Sequence, residues 1–336
     1  MNERYSRQIL FKPVGESGQK RISEKHVLIL GCGALGTANA EILVRAGIGK
    51  LTVIDRDYVE YSNLQRQQLF TERDAREQIP KAVAGRDRLV QINSEVEIDA
   101  HIMDATPENL LPLLDGVDLV IDATDNFDVR FMMNDLFQKH NIHWIFGSCV
   151  GSMGMSYTIL PGHTPCITCL LHAMPYSGAT CDSVGIISPA VQMVAAHQTA
   201  EALKLLVGDH DSLRSRLVLF DLWNNHYQTI KVDRAKKEDC PTCGVNPSFP
   251  YLNYEAQTKT EVLCGRNTVL IRAGQPFHID ELSARLEKLG NIKKNQYLIS
   301  LEYGSHRLMF FKDGRTMVHG TNSIDHAKKI YYQIMG

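Results

Sequence analysis

The stretch HVLILGCGALGTANAEILVRAGIGKLTVID, residues 26–55, decides the fold. Residues 26–30 form a short apolar run of the kind that makes a buried parallel strand. Residues 35–46 have the apolar spacing of a helix, and Gly47 is a suitable stop. Residues 51–55 form a second apolar run. This order predicts the first strand–helix–strand unit of a nucleotide-binding sheet.

The same alternation continues to about residue 150 and then changes. Further strands are predicted at 96–103, 117–122 and 143–148, and helices at 80–92 and 127–140. After residue 150, alternating segments at 155–160, 217–220 and 226–232 flank an amphipathic helix at 188–207, which Gly208 ends. The pattern predicts an α/β fold: a doubly wound, mostly parallel Rossmann-like sheet with an antiparallel extension.

Turn-forming residues concentrate between 243 and 259, which predicts a linker. We place that linker at 249–259, after a main domain over 1–248. Beyond it, short strand and helix patterns predict a small α+β C-terminal module over 260–336.

Composition narrows the class of protein. The 36 Lys and Arg residues nearly balance 38 Asp and Glu, so charge gives no case for binding nucleic acid or an anionic membrane. The charged start MNERYSRQIL is unlike a signal peptide, and no apolar run approaches the roughly 18 residues of a membrane span. We therefore expect a cytoplasmic protein. In a reducing compartment its 8 cysteines would be thiols, metal ligands or nucleophiles.

Three glycines mark a phosphate-binding turn. Gly31, Gly33 and Gly36 give G-x-G-x-x-G between a strand and a helix, so backbone N–H groups and the helix N-terminus can face phosphate. Asp55 lies 22 residues past Gly33, where a carboxylate can bind ribose hydroxyls. Alone, this motif predicts an adenine nucleotide, and an NAD-dependent oxidoreductase is its ordinary interpretation.

The residues after the second strand favour a triphosphate instead. Hydrogen-bond donors and cations accumulate there: Arg56, Asn63, Gln65, Arg66 and Lys81. A dehydrogenase holds a pyrophosphate largely with its glycine loop. A triphosphate carries more negative charge, which Arg and Lys side chains with magnesium usually neutralise.

The segment DATDN, residues 122–126, adds acidic groups where ligands bind in open α/β sheets. A carboxylate of Asp122 or Asp125 can hold Mg²⁺ through oxygen. Alternatively, Asp125 and Asn126 cap the helix that follows, and the two roles are compatible.

Four cysteines occur as two C-x-x-C pairs. Cys166 and Cys169 form PCITC, and Cys240 and Cys243 form CPTC. Two such pairs can make a closed, structural four-thiolate zinc site, although the gap of about 70 residues is longer than in a zinc ribbon. A redox C-x-x-C is the alternative. It is weakened because there are two pairs and neither follows a thioredoxin-like pattern.

Together these motifs resemble the MoeB/ThiF group, bacterial relatives of the ubiquitin-activating enzymes. The resemblance runs from RYSRQIL (4–10) through GCGALG, DRDYVEYSNLQRQ, Lys81, DATDN and both C-x-x-C pairs to about residue 245. SNLQRQ combined with the paired cysteines is its most specific part. Residues 250–336 show no rhodanese pattern, although some relatives carry a rhodanese domain.

The resemblance implies an enzyme. Such adenylyltransferases use Mg-ATP to adenylate the C-terminal Gly-Gly carboxylate of a ubiquitin-like sulfur carrier, MoaD-like or ThiS-like, and release pyrophosphate. A thiocarboxylate for molybdopterin or thiamin thiazole synthesis follows. The implied cofactors are ATP, Mg²⁺ and Zn²⁺. The implied partners are the carrier, a cysteine desulfurase or rhodanese as sulfur donor, and a second copy of the chain in a homodimer.

The resemblance also implies roles for individual residues. Asp55 would hold the ribose, Asp125 the magnesium, and Arg7 would reach into the ATP site of the other subunit. The nucleotide site would comprise Gly31, Gly33, Ala34, Gly36, Asp55, Asn63, Arg66, Lys81, Asp125 and Asn126. Ala34 stands where many relatives have glycine, and a methyl group there should not prevent ATP binding.

Cys181, in GATCDSVG, belongs to neither pair and lies in a segment with the composition of an exposed loop. Its position matches a cysteine that forms a carrier-linked intermediate in some relatives. A loop cysteine without a role is the alternative, and Cys264 is better explained as a small core residue. Three other functions stay open: an NAD-dependent oxidoreductase, a non-catalytic zinc-bearing scaffold, and an adenylase of another peptide.

Overall fold

The computed structural model describes residues 3–171, 184–252, 260–263, 267–272 and 275–335. The chain divides into two compact units, one formed by most of the residues up to 252 and the other by the residues from 260 onward with the short segment 77–79. The predicted division at 249–259 stays a prediction, because residues 253–259 lie outside the described ranges. Among the described residues, no helix is both long enough and apolar enough to cross a membrane.

Eight strands of the described residues form the sheet of the first unit. They are β1 (His26–Leu30), β2 (Lys50–Asp55), β3 (Glu97–Ile102), β4 (Leu119–Asp122), β5 (Trp144–Val150), β6 (Met153–Ile159), β7 (Arg216–Asp221) and β8 (His226–Lys231). Their order is β3-β2-β1-β4-β5-β6-β7-β8. Strands β1 to β5 pair in parallel, and β5 to β8 pair antiparallel. The predicted mostly parallel sheet with an antiparallel extension is confirmed.

The helices connect and cover these strands. They are α1 (Ser6–Ile9), α2 (Gly15–Ile22), α3 (Ala34–Ala46), α4 (Glu72–Glu77), α5 (Lys81–Ile92), α6 (Pro107–Leu110), α7 (Phe127–Lys139), α8 (Ile167–Leu171) and α9 (Ser188–Val207). Short 3-10 turns occur at Glu3–Tyr5, Tyr61–Asn63, Leu111–Leu114, Asp233–Ala235 and Pro250–Leu252.

Several helix ends follow from local chemistry. Gly47 and Gly208 end α3 and α9 in the left-handed conformation, with φ of 82° and 77°. Glycine adopts such a φ without steric cost, which explains why both helices stop there. Helix α5 begins at Lys81 and has Pro80 as its N-cap, one position earlier than the predicted first turn.

Apolar side chains cover both faces of the central strands. Leu28 and Leu30 of β1 belong to a core with α7, whereas Val27 and Ile29 are equally buried. Because side chains alternate along a strand, these two pairs point to opposite faces of the sheet. Helix α9 packs against α3, β5 and β6. The sheet is therefore doubly wound, and its strand ends are fixed by packing on each side.

The second unit contains a sheet of six strands among the described residues. They are β9 (Thr260–Leu263), β10 (Thr268–Arg272), β11 (Ile292–Lys294), β12 (Leu298–Tyr303), β13 (His306–Phe311) and β14 (Arg315–His319), in the order β11-β12-β13-β14-β10-β9. Helices α10 (Ile279–Leu286) and α11 (Ile324–Met335) pack their apolar faces onto the sheet. The predicted α+β character is correct, although the sequence did not indicate β9, β11 or β14.

Candidate functional site at the ends of the parallel strands

The glycine loop joins β1 to α3 through a turn that needs two of its glycines for steric reasons. Gly31 has a φ of 97°, and a Cβ on it would lie 2.5 Å from the carbonyl oxygen of Ala123. A Cβ on Gly36 would lie 1.9 Å from the carbonyl oxygen of Gly31. The loop is therefore pressed against the turn after β4.

Gly33 differs, because nothing in the protein requires it to lack a side chain. The nearest atom to a Cβ placed there is Gln67 Nε2, at 3.8 Å. Ala34 follows as the first residue of α3. Gly33 thus leaves open space before the N-terminus of a helix of 13 residues, the arrangement that lets an anion approach backbone N–H groups.

Asp55, the last residue of β2, fixes this loop. Its carboxylate accepts hydrogen bonds from the backbone N–H of Cys32 at 2.6 Å and of Asp57 at 2.7 Å. Desolvation raises the pKa of the Asp55 carboxyl, the charge of Lys81 opposes that shift, and Asp57 adds to it. A carboxylate held at the strand end in this way can also accept hydrogen bonds from ribose hydroxyls.

Lys81, the first residue of α5, is only 2% exposed. Its Nζ lies 3.3 Å from Asp57 Oδ2, and its backbone N–H donates to the Asp57 carbonyl at 2.9 Å. This buried cation therefore lies close to Asp55 and the glycine loop. Arg56 instead pairs with Asp104 at 3.0 Å.

The SNLQRQ segment, residues 62–67, begins in the 3-10 turn Tyr61–Asn63 and reaches the glycine loop at Gln67. Asn63 is buried and accepts a hydrogen bond from the backbone N–H of Glu60 at 3.0 Å. Half-buried Arg66 donates to the Ser62 carbonyl at 2.9 Å. Gln67, which sequence reasoning did not single out, is buried next to Gly33. Its position as the last residue of SNLQRQ was the sequence signal that could have identified it.

The DATDN turn separates its two aspartates. Asp122 is fully buried: one oxygen lies 2.9 Å from Arg130 Nε, and the other accepts from the backbone N–H and the hydroxyl of Thr124. Asp125 is exposed, and Asn126 accepts a hydrogen bond from the Asp128 N–H at 2.7 Å as N-cap of α7. Asp125 is thus the aspartate of this turn that faces solvent, whereas Asp122 is used to build the turn.

Arg130 was missed in the sequence, although it lies one turn into α7. It is 2% exposed, and besides Asp122 it donates to the carbonyls of Thr124 and Gly147. Its guanidinium also stacks on the rings of Phe127 and Phe146, at 4.9 and 5.3 Å from their centroids. These contacts hold the turn that presents Asp125.

One predicted residue, Arg7, lies elsewhere. Arg7 is exposed on α1, whose Gln8 donates to the carbonyl of Ala46 at the C-terminal end of α3. The glycine loop is at the other end of that 13-residue helix, about 20 Å away at 1.5 Å per residue. Arg7 is therefore not brought to the site of its own chain. Cys181 and Cys264 lie outside the described residues.

The four paired cysteines converge. The sulfur atoms of Cys166, Cys169, Cys240 and Cys243 all lie within 4.8 Å of one another. Tetrahedral zinc with Zn–S bonds of about 2.3 Å needs sulfur atoms about 3.8 Å apart. The sulfur atoms of Cys169 and Cys243 are 3.5 Å apart, and those of Cys166 and Cys240 are 3.6 Å apart. Burial raises the pKa of the Cys169 thiol to about 11, so a cation is needed to hold thiolates together there. The cluster fits zinc.

A chain of polar side chains supports this cluster from α7. Asn134 Nδ2 donates to Thr168 Oγ1 at 3.1 Å, and Thr168 and Thr242 are 3.2 Å apart through their hydroxyls. Thr242 in turn donates to Asp135 at 2.6 Å. Each threonine is the third residue of a C-x-x-C pair. The same helix therefore positions DATDN with its first turns and the cysteine pairs with its middle.

Comparison with known proteins agrees with this geometry. The sequence profile of the ThiF family matches residues 5–242. The sulfur carrier protein ThiS adenylyltransferase of Bacillus subtilis (strain 168) is 48% identical over the whole of both chains. The sulfur carrier protein adenylyltransferase of Thermus thermophilus is 36% identical over 76% of this chain and 95% of its own.

The fold also has counterparts among solved structures. Escherichia coli MccB, crystallised with succinimide, superposes with a TM-score of 0.63 over 73% of this chain and 75% of its own, at 23% identity. The family profile spans the glycine loop, SNLQRQ, DATDN and three of the four clustered cysteines. This chain belongs to the ThiF family.

Proposed function

We propose that the protein catalyses ATP-dependent adenylation of the C-terminal Gly-Gly carboxylate of a ubiquitin-like sulfur carrier. The observation that carries the proposal is the arrangement at one edge of the sheet. Open space at Gly33, buried Lys81 and exposed Asp125 lie at neighbouring loops. The relatives named sulfur carrier adenylyltransferases support the substrate class.

The reaction needs positioning and charge neutralisation more than proton transfer. An oxygen of the carrier carboxylate attacks the α-phosphorus of ATP, the bond to the bridging oxygen breaks, and pyrophosphate leaves. The carboxylate is already a nucleophile, so no general base is required. Lys81, Arg66 and the N-terminus of α3 would hold the phosphates, and Asp55 the ribose. Mg²⁺, for which Asp125 is the candidate ligand, would neutralise phosphate charge.

The carrier of the thiazole pathway is the better candidate. The Bacillus subtilis relative, which matches the whole chain including the residues beyond 242, is named for ThiS. A protein of Culex quinquefasciatus named adenylyltransferase and sulfurtransferase MOCS3 aligns with 75% of this chain, at 34% identity. We therefore propose a ThiS-like carrier and thiamin thiazole synthesis. Exchange with a MoaD-like carrier at the same efficiency would contradict that choice.

Pyrophosphate exchange tests the proposal directly. Labelled pyrophosphate should enter ATP only when a ThiS-like carrier ending in Gly-Gly is present. The matched control is the same carrier without its last glycine, which should give no exchange. Equal exchange without carrier, or none with any intact carrier, would refute the proposal.

The step after adenylation is proposed to use Cys181. A thiol can attack the acyl-adenylate, releasing AMP and leaving a thioester. The persulfide of a sulfur donor would displace the Cys181 thiolate from that thioester and give an acyl disulfide. The freed Cys181 thiolate would then attack the donor's sulfur, which releases the thiocarboxylate and leaves a disulfide between Cys181 and the donor for an external thiol to reduce. Cys181→Ser should leave pyrophosphate exchange near the wild-type rate and reduce thiocarboxylate yield in the presence of a cysteine desulfurase or rhodanese. Normal yield would make Cys181 a loop cysteine without a role.

Arg7 is proposed to act in the other subunit of a homodimer. Its place at the far end of α3 supports this, because it cannot serve its own site from there. Mixed dimers of Arg7→Ala and Lys81→Gln chains should recover part of the exchange that each variant lacks, since one site would then be intact. No recovery in dimers verified by mass would count against it. The cytoplasmic location stays a prediction.

A further inference from the structure

A fully buried glutamine joins three elements beneath the DATDN turn. Gln198 of α9 donates through Nε2 to the carbonyl of Asp122 at 2.8 Å and to that of Ile145 at 3.1 Å. Its Oε1 accepts a hydrogen bond from Asn39 Nδ2 of α3 at 2.8 Å. One amide therefore links β4, β5 and the helix that carries the glycine loop.

The amide lies where β4 and β5 separate. Their parallel pairing ends at Ile121 and Ile145. The carbonyls of Asp122 and Ile145 are the groups that Gln198 binds in place of a continuing ladder. Such buried carbonyls need a donor, and a side chain from another element supplies it here.

Gly147 of β5 leaves room for this amide. A Cβ at Gly147 would lie 2.4 Å from Nε2 and 2.5 Å from Cδ of Gln198. The carbonyl of the same residue accepts from Arg130 at 3.1 Å. Gly147 is thus held between the amide that binds the Asp122 backbone and the guanidinium that binds the Asp122 side chain.

A methionine at position 198 would fill the volume of the glutamine side chain without making hydrogen bonds. The glutamine amide instead fixes the directions of, and the distances to, its three hydrogen-bond partners. Satisfied buried polar networks hold their members in one arrangement more strictly than apolar packing does. The arrangement held here is that of α3, which begins at the glycine loop, relative to the turn that presents Asp125.

We propose that Gln198 is a positioning residue for the adenylation reaction, which sets Asp125 at its working distance from the N-terminus of α3. The inference rests on the proposed function. In well-ordered active sites a displacement of about 1 Å can lower a rate about 100-fold. The Gln198 amide should therefore act on the use of Mg²⁺ and on kcat more than on ATP affinity.

The main variant is Gln198→Met, which conserves volume. With the full chain and a ThiS-like carrier, we expect kcat for pyrophosphate exchange to fall by about 10- to 100-fold. The Mg²⁺ concentration for half-maximal exchange should rise several-fold, while KM for ATP at saturating Mg²⁺ stays within about twofold.

Thr158→Val is the matched control. It removes another buried hydrogen bond made to α9, from Thr158 Oγ1 to Glu201 at 3.2 Å, and leaves Gln198 and its three hydrogen bonds unchanged. It should lower the melting temperature without changing the Mg²⁺ requirement. An equal change in Mg²⁺ requirement in both variants, or an unchanged requirement in Gln198→Met, would overturn the proposal.

Asn39→Leu keeps the proposal testable if Gln198→Met does not fold. It removes the link to α3, together with the bond from Asn39 Nδ2 to the Leu35 carbonyl inside that helix. The two bonds of Gln198 to the strands stay, so a smaller rise in the Mg²⁺ requirement is expected. An unchanged Mg²⁺ requirement in folded Asn39→Leu would refute the link.

Binding of Mg²⁺ and ATP, measured by calorimetry without carrier, separates failure of the positioning proposal from failure of the proposed function. If wild type shows no exchange, the proposed function fails, but a higher Mg²⁺ concentration needed for ATP binding in the variants than in wild type would still support positioning.

Discussion

The nucleotide edge, which comprises the glycine loop, Lys81 and the DATDN turn, differs from the cysteine cluster in its exposure. At the nucleotide edge Asp125 is exposed and Gly33 leaves space before a helix N-terminus. In the cysteine cluster the thiols face one another. Cys166, Cys169 and Cys240 are buried, and polar side chains of α7 support the cluster. Both regions assemble residues that are distant in sequence. Of these two described regions, the nucleotide edge is the one with an exposed carboxylate and open space at a helix N-terminus.

This difference corresponds to two kinds of chemistry. A site that takes up and releases substrates needs groups whose bonding is completed only when the ligand is present. A structural metal centre is closed, with all coordination positions filled by the protein. Changes at the cysteine cluster should therefore appear first in stability, and changes at the nucleotide edge first in rate.

The largest effect is expected from Cys166→Ser. Structural zinc contributes about 10–16 kcal/mol in zinc-finger peptides, so loss of one thiolate should remove the metal and lower the melting temperature severely. Wild-type protein should contain one zinc per chain by metal analysis. Cys149→Ser, which changes a cysteine outside the cluster, is the control and should retain zinc. Purified wild-type protein without zinc would contradict the assignment.

Lys81→Gln should act on rate instead. Cations that stabilise a reacting phosphoryl group are worth about 10³-fold or more elsewhere, and glutamine keeps a donor for Asp57. Exchange should fall about 1,000-fold with little change in melting temperature. The control Lys25→Ala removes a surface ion pair with Asp118 at 2.7 Å and should leave exchange unchanged. A folded Lys81→Gln chain with wild-type exchange would remove Lys81 from the site.

The sequence contained the local parts of the nucleotide edge. The apolar runs and glycines at 26–55 predicted β1, α3 and β2, because strand, turn and helix preferences are encoded within a few residues. The helix at 188–207 was predicted with its observed ends, since a proline near its start and Gly208 after its end mark them.

Contacts between distant segments could not be predicted in the same way. Asp122 and Asp125 are both suitable Mg²⁺ ligands by residue type. Asp122 ends the buried strand β4 and pairs with Arg130, which lies outside the motif, whereas Asp125 is exposed. Gln198 is one of several polar residues in an amphipathic helix, which also carries Gln192, Thr199 and Glu201, and nothing local indicates that strands separate beside it. Strand β14 has five residues and is recognisable mainly through its pairing with β10 and β13.

The two aspartates of DATDN should therefore give opposite results. Asp125→Asn should lower exchange about 100-fold and raise the Mg²⁺ requirement without loss of stability, because the side chain is exposed. Asp122→Asn breaks a buried ion pair with Arg130, which typically costs about 3–5 kcal/mol. Denaturant unfolding and exchange kinetics on both variants test this. Equal stability losses would show that the turn is not divided as the structure indicates.

The smallest effects concern the threonines of the cysteine cluster. Because Thr242 donates to Asp135, its hydroxyl oxygen accepts from Thr168, which accepts from Asn134. Thr242→Val leaves a buried carboxylate with one fewer donor, and bonds to charged groups are worth about 1.5–3 kcal/mol. Thr168→Val loses neutral bonds worth about 1 kcal/mol each.

We therefore expect Thr242→Val to lower the free energy of unfolding more than Thr168→Val, with zinc retained in both because neither hydroxyl is a metal ligand. The double variant should cost less than the sum of the two, since the bond between the hydroxyls would be counted twice. Denaturant unfolding with parallel metal analysis measures both quantities. Additive losses would mean that the hydroxyls do not interact. Loss of zinc from either variant would mean that the polar chain from α7 is needed to hold the metal. Helix α7, which also positions the DATDN turn, would then be part of both regions.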